Sequence, residues 1–230
     1  MNKLARGLRS DGEATRTRIL EAAGELFATT GYAETPNKAI AAHAQVDLAS
    51  INYHFGNRGG LYQAVLTESY GQVLGLANLM QLVGSELAPA SKLRALIEQL
   101  VGHATREPQA WELRVLAREL LAPTSHLQTL FQDEALPKVA LLRRMLSEIT
   151  RIPDQDPALT RCLLCVIAPC LMLLVGGRTF PGPLQEVFQM PSEAIASHLY
   201  HYALGGLNAV SREYAKQAKT RGRPRSPTTR

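Results

Sequence analysis

The sequence predicts an all-α protein of about nine or ten helices, with an N-terminal three-helix helix-turn-helix domain and a larger helical domain behind it. Three observations carry this prediction. Apolar residues recur with the 3.6-residue period of a helix along nearly the whole chain. Strand signals are missing, with no sustained apolar/polar alternation and no Asn-Gly or Asp-Gly turn flanked by alternating residues. Short breaks rich in Gly, Pro, Ser and Asp separate the periodic segments.

Taken in order, the first helix is expected over 11–30. Ser10 and Glu13 have capping-box spacing, and Ile19, Leu20, Ala23, Leu26 and Phe27 fall on one face. Gly31 stands where a helix commonly ends. The second helix starts near Pro36, with Thr35 as its cap and proline at the tolerated first position, and reaches Ala44. After the turn Gln45-Val46-Asp47, a very short third helix covers 48–54 and a fourth runs over 59–87. Later helices are expected at 91–107, 108–121, 125–131, 137–150, 156–175, 184–190 and 192–217. Beyond 217 there are no apolar anchors, so the end reads as a disordered basic tail. The domain plan is a basic arm at 1–12, a helix-turn-helix at 13–60, a body at 61–217 and the tail at 218–230.

Composition limits the partners. With 230 residues, 46% hydrophobic and only 6% aromatic, a core of useful size must rest on Leu, Ala, Val and Ile. The net charge of +5 is unevenly placed. Residues 1–60 carry seven Lys/Arg and six Asp/Glu (net +1), 61–211 carry eleven and thirteen (net −2), and 212–230 carry seven and one (net +6). The first fifteen residues lack the apolar run of a secretory signal. The apolar stretch 162–177, interrupted by Pro169, is shorter than the roughly 20 residues that cross a bilayer, and reads as a buried helix. Three cysteines without a disulfide framework fit a reducing cytoplasm.

Two short helices joined by a three- or four-residue turn form a helix-turn-helix, whose second helix enters the major groove while the first crosses the phosphate backbone. Ile40, Val46, Ile51 and Phe55 are spaced to hold the short third helix against its neighbours. The sequence T-R-T-R-I-L-E-A-A stands at 15–23, followed by Phe27 and Gly31-Tyr32, then Ile40-Ala41 with Ala44. S-I-N-Y-H-F-G-N-R follows at 50–58, with Leu61 behind it. Together these resemble the DNA-binding module of the TetR family of transcriptional regulators over about residues 13–62. Elsewhere the resemblance lies in the all-helical pattern, the length and the position of the last two helices. It implies a cytoplasmic, sequence-specific repressor that binds a palindromic double-stranded DNA operator as a homodimer and is released by an unidentified small-molecule effector. Departures from the family pattern are Pro36 (usually Thr or Ser), Gln45 (often Gly), Arg58 (usually Lys) and Gly59-Gly60 (usually acidic).

Given the resemblance, side-chain chemistry assigns roles. Lys38 meets a phosphate. Leu48, Ala49 and Ser50 open the recognition helix, the first two toward a thymine methyl. Asn52 reads adenine or binds a phosphate, Tyr53 and His54 bring polar tips to phosphates, and Arg58 grips the backbone at the start of the fourth helix. Tyr53 and His54 also suit an ordinary helical bundle, and the surrounding motif tips the reading toward DNA. The head itself is not basic, since 11–60 carries four Lys/Arg against six Asp/Glu. Its affinity is therefore assigned to placed donors, helix N-termini and flexible ends that include Lys3, Arg6 and Arg9. In the tail, Arg221-Gly222-Arg223-Pro224-Arg225 resembles the core of an AT-hook, although a solvated tail is the weightier reading. Gly59-Gly60 is expected to loosen the joint between head and body.

In the body, the helices at 156–175 and 192–214 are expected to form a two-fold, four-helix dimer interface, the first being apolar nearly all round. Trp111, Arg114 and Arg118 share a helical face that suits an anionic or aromatic ligand. The same face also fits a buried Trp with arginines paired to Glu112, Glu119 or Asp133, and this blander reading weighs more. Cys162-x-x-Cys165-x-x-x-x-Cys170 lacks the ligand set of a zinc site and reads as buried free cysteine, so no metal and no cofactor is expected. No phosphate loop, nucleophile elbow or zinc-protease helix is present, so no enzymatic activity is expected.

Overall fold

The computed structural model describes residues 3–106, 110–176, 182 and 184–221, and among these there is no strand. The helices are α1 (Lys3–Thr30), α2 (Asn37–His43), α3 (Leu48–Phe55), α4 (Arg58–Val73), α5 (Leu76–Gly84) and α6 (Pro89–Thr105). They continue as α7 (Trp111–Leu121), α8 (His126–Leu130), α9 (Leu136–Thr150), α10 (Pro157–Gly176), α11 (Leu184–Phe188) and α12 (Ser192–Arg221). A π-helical turn, Phe131–Ala135, joins α8 to α9.

The chain forms two compact units. The first comprises Met1–Leu76 and His103–Pro137, so α7 and α8 fold with α1–α4. Its core is Ile19, Ala23 and Phe27 of α1, Ile40, Ile51, Leu61, Val65 and Leu66 of α2–α4, and Leu113, Val115 and Leu116 of α7. Trp111, the single tryptophan, lies in a notch at Gly24, where an added Cβ would stand 2.3 Å from the indole. The second unit comprises Ala77–Gly102 and Lys138–Arg230. Leu93, Leu96 and Ile97 of α6, Met145 and Leu146 of α9, Leu159 and Val166 of α10, and Ile195 and Leu207 of α12 fill its core. Lys92 is buried, donating to the Val83 carbonyl at 2.7 Å and pairing with Glu148 at 3.8 Å. The guanidinium of Arg94 lies 4.0 Å over the Tyr200 ring. At the end of α12, Ser211 donates to the Thr150 carbonyl and Tyr214 to Asp156, both at 2.6 Å.

Several boundaries differ from the sequence expectation. α1 begins at Lys3, so positions 10 and 13 lie inside the helix rather than at its start. Thr35 does not cap α2: it is buried, with its hydroxyl on Thr30 and the Gly31 carbonyl, and Pro36 takes the cap position with no side-chain bond. The long fourth helix is two helices, because the backbone leaves helical geometry at Leu74 before Gly75. The apolar helix α10 spans 20 residues, which is long and apolar enough to cross a membrane by length and composition. It is not buried on all sides within the chain: Leu159, Cys162, Val166, Cys170 and Leu173 face the core, while Leu164, Leu171 and Met172 are exposed. Cys165 is likewise exposed rather than buried. α12 continues through the first residues of the expected tail to Arg221, and 222–230, which hold most of the AT-hook-like segment, lie outside the described residues.

Gln45 holds φ +55°, the left-handed region in which a Cβ is crowded. Glycine, which the family pattern favours there, has no such penalty. Gln45→Gly is expected to stabilise the protein by about 1 kcal/mol, seen as a higher urea midpoint. An unchanged or lower midpoint would refute backbone strain at this turn.

Candidate DNA-reading surface

The turn between α2 and α3 is built from its caps outward. Ala44 closes α2, Gln45 reverses the chain, and Asp47 opens α3 by accepting from the Ser50 N–H at 3.2 Å and the Ser50 hydroxyl at 2.7 Å. Ile51 is the buried key of α3 and fixes which face turns outward. That outer face carries Leu48 (50% exposed), Ala49, Asn52 and Tyr53 (85% exposed). Two large side chains, Leu48 and Tyr53, are thus left uncovered on one eight-residue helix. His54 is half-buried with its ring 4.9 Å from that of Tyr53. Lys38 is exposed on α2. α2 is tied to α1 by His43, whose ring nitrogen lies 2.9 Å from the Glu25 carboxylate.

Leu48, Ala49, Ser50, Asn52, Tyr53 and His54 thus share one short helix, with Ser50 already engaged in its cap. Arg58 stands elsewhere. Its guanidinium donates to the carbonyls of Tyr32 and Ala33 and lies 4.6 Å over the Tyr32 ring, so it holds the loop leading into α2. The N-terminus of α4 is capped instead by Asn57, which accepts from the Gly60 N–H at 2.9 Å.

Two of the three residues singled out on α7, Trp111 and Arg118, have internal partners. Arg118 donates from Nε to the Ala28 carbonyl at 2.9 Å and from Nη2 to the Thr29 carbonyl at 2.7 Å, rather than pairing with an acid. Trp111 fills the Gly24 notch, and Arg114 is exposed. Sequence reasoning missed the neighbouring buried network. Glu119 is 1% exposed and accepts from the Tyr62 hydroxyl at 2.8 Å, the Thr124 N–H at 2.9 Å and the Thr124 hydroxyl at 2.8 Å. Burial, followed by the bond to Glu119, raises the Tyr62 pKa far above its ordinary value, so this hydroxyl remains a donor.

In the second unit, a groove of about 560 Å³ between α10 and α12 is lined by Arg161, Cys162, Cys165, His201, Tyr202 and the Gly205-Gly206 pair, among others. Among the described residues, no group of three or more His, Cys, Asp or Glu is placed to hold a metal ion.

Comparison with known proteins places both ends of the chain. Residues 19–65 match the model for bacterial regulatory proteins of the tetR family. Residues 89–210 match the C-terminal domain of the HTH-type transcriptional dual regulator CecR. The HTH-type transcriptional regulator UidR of Escherichia coli strain K12 is 25% identical over 113 residues, which cover 44% of this chain and 58% of UidR. The chain thus spans little more than half the length of that curated relative. FadR of Bacillus subtilis, solved with stearoyl-CoA, superposes with a TM-score of 0.65 at 16% identity, covering 83% of this chain and 98% of FadR. NalD of Pseudomonas aeruginosa, the secondary repressor of the MexAB-OprM efflux pump, superposes with a TM-score of 0.60 at 23% identity, covering 86% and 97%. At these identities the structural likeness speaks for the fold alone.

Proposed function

The chain belongs to the TetR family of DNA-binding bacterial transcriptional regulators, and from this premise we propose that it is a ligand-responsive repressor that binds a palindromic operator as a homodimer. The observation that carries the DNA-reading part is the exposed face of α3, with Leu48, Ala49, Asn52 and Tyr53 turned away from the core that Ile51 anchors. Leu48 and Ala49 suit a thymine methyl, Asn52 an adenine edge, and Tyr53 and His54 the flanking phosphates. Lys38 on α2 supplies a phosphate contact from the helix that crosses the backbone. Arg58 acts indirectly, by holding the loop that leads into α2.

Two copies are required for a palindrome, and α10 with α12 is the surface assigned to pairing. Each shows a stripe of exposed apolar residues that a second copy would cover. The effector is assigned to the helical body. FadR, of the same fold, was solved with stearoyl-CoA, which makes coenzyme A thioesters the first class to test. The repressor would act in the cytoplasm, where its operator is.

The test is a titration of the full chain into labelled DNA from upstream of its own gene, at two salt concentrations, with random DNA as competitor. Specific complexes are typically 10³–10⁷ tighter than non-specific ones, so an operator stands out against the competitor. Tyr53→Ala is expected to weaken operator binding by about tenfold, and about equally across DNA sequences, as the loss of a phosphate contact does. If Tyr53→Ala binds as tightly as the parent, α3 is not the reading helix. Adding stearoyl-CoA to the operator complex, with coenzyme A as control, tests the effector class.

A further inference from the structure

The match to the family's DNA-binding segment ends at residue 65, yet the compact unit that contains the head also contains α7 and α8. We propose that α7 is a working part of the DNA-reading head, with Arg118 and Glu119 as positioning residues for operator binding. This rests on the reading that α3 contacts DNA.

Two residues adjacent in sequence hold two different helices. Arg118 reaches the Ala28 and Thr29 carbonyls at the C-terminal end of α1, where orphan acceptors and the helix dipole both favour a cation. Glu119 points into the core and takes the Tyr62 hydroxyl of α4. Both contacts persist only at one rotation and one height of α7, because each is a hydrogen bond with a narrow distance and angle range. Trp111, in its notch at Gly24, fixes the other end of α7 against α1.

From Glu119 the contacts continue toward DNA. The Tyr62 ring stacks on Tyr32 at 4.3 Å and 28°. Arg58 lies over Tyr32 at 4.6 Å and donates to the Tyr32 and Ala33 carbonyls. His126 meets both tyrosine rings edge-on, at 5.5 and 5.4 Å. The loop 31–35 feeds α2, so its place, and through it the approach of α3, is set from α7. Burying a carboxylate is a poor way to gain stability alone, since an apolar contact would do as well without the desolvation cost. A directed three-donor site adds orientation.

The experiment uses the full chain and three variants: Tyr62→Phe, which removes one hydroxyl and keeps the ring stack, Glu119→Gln, and the double variant. Amide hydrogen exchange over 31–55, operator affinity of the folded protein, and thermal unfolding are measured for each. Each single variant is expected to weaken operator binding about tenfold, and the double by less than the product of the two, because both variants alter the shared Tyr62–Glu119 contact. Exchange should rise over 31–55 and stay unchanged in α10 and α12. A lower melting temperature with unchanged exchange over 31–55 and unchanged operator affinity would overturn the proposal, leaving the pair as a stabilising contact. If the parent chain finds no operator, the regulator reading fails on its own, and the exchange result still decides whether α7 positions the head.

Discussion

A Gly60→Ala chain is expected to lose about 3 kcal/mol of stability, and its operator binding with it. A Cβ on Gly60 would stand 2.2 Å from the Phe55 carbonyl oxygen, and the obstacle is the backbone of the last residue of α3, which has no rotamer to retreat into. Relieving the clash means moving the end of α3, the Gly56 turn at φ +76° or the start of α4, all of which set the pose of the reading helix. Helix propensity predicts the opposite sign, a gain of about 1 kcal/mol for alanine over glycine, so the measurement separates the two explanations. Gly59 is a milder case. Its Cβ would meet Asn57 Oδ1 and His126 Cε1, both at 3.2 Å and both on side chains with some freedom to yield. Urea unfolding and operator titration of Gly60→Ala beside Gly59→Ala check this, and a Gly60→Ala protein as stable as the parent would remove the steric account. The geometry also corrects the role of the pair. Gly60 is required for close approach of α4 to α3, inside one compact unit, rather than for loosening a joint.

The helices were legible because their signals are local. The period of Ile19, Ala23 and Phe27 and the stop at Gly31 each act within a turn or two of chain. The exposed face of α3 was legible for the same reason, since Ile51 fixes it from within an eight-residue helix. What the sequence concealed are contacts between residues far apart along the chain. Glu119 meets Tyr62 across 57 residues and Arg118 meets Ala28 across 90, and no spacing rule spans such gaps. Arg58 shows a second difficulty: a guanidinium suits backbone carbonyls and an aromatic face as well as it suits a phosphate. Only the position of Tyr32 decides between them. The expected fourth helix is too long because one glycine inside an apolar periodic run signals a helix end only weakly, whereas the chain breaks at Leu74 before Gly75.

Leu164→Glu is expected to leave the chain folded and monomeric, and to reduce operator affinity about a hundredfold or more through loss of the second head. Leu164 is 66% exposed, so a charge there costs the single chain almost nothing. Its neighbours make the site more than an isolated apolar residue. Arg161, Leu164, Cys165, Ala168, Leu171 and Met172 follow helical spacing along the outer face of α10, and the last five are uncharged. On α12, Tyr202 is 73% exposed and Val210 is also exposed, with Gly205-Gly206 between them leaving the helix backbone open to close approach. Single soluble chains seldom leave contiguous apolar surface of this kind uncovered, and a two-fold axis would let each copy cover the other with the same residues. A glutamate placed there would be buried without a partner in the dimer while remaining solvated in the monomer, so the equilibrium shifts toward the monomer. Sedimentation equilibrium, a melting curve and the operator titration read the three parts separately. If Leu164→Glu remains a dimer with parental affinity, pairing uses another surface. If it is monomeric and still binds the operator as tightly as the parent, the chain reads DNA with one head and the palindrome is not required.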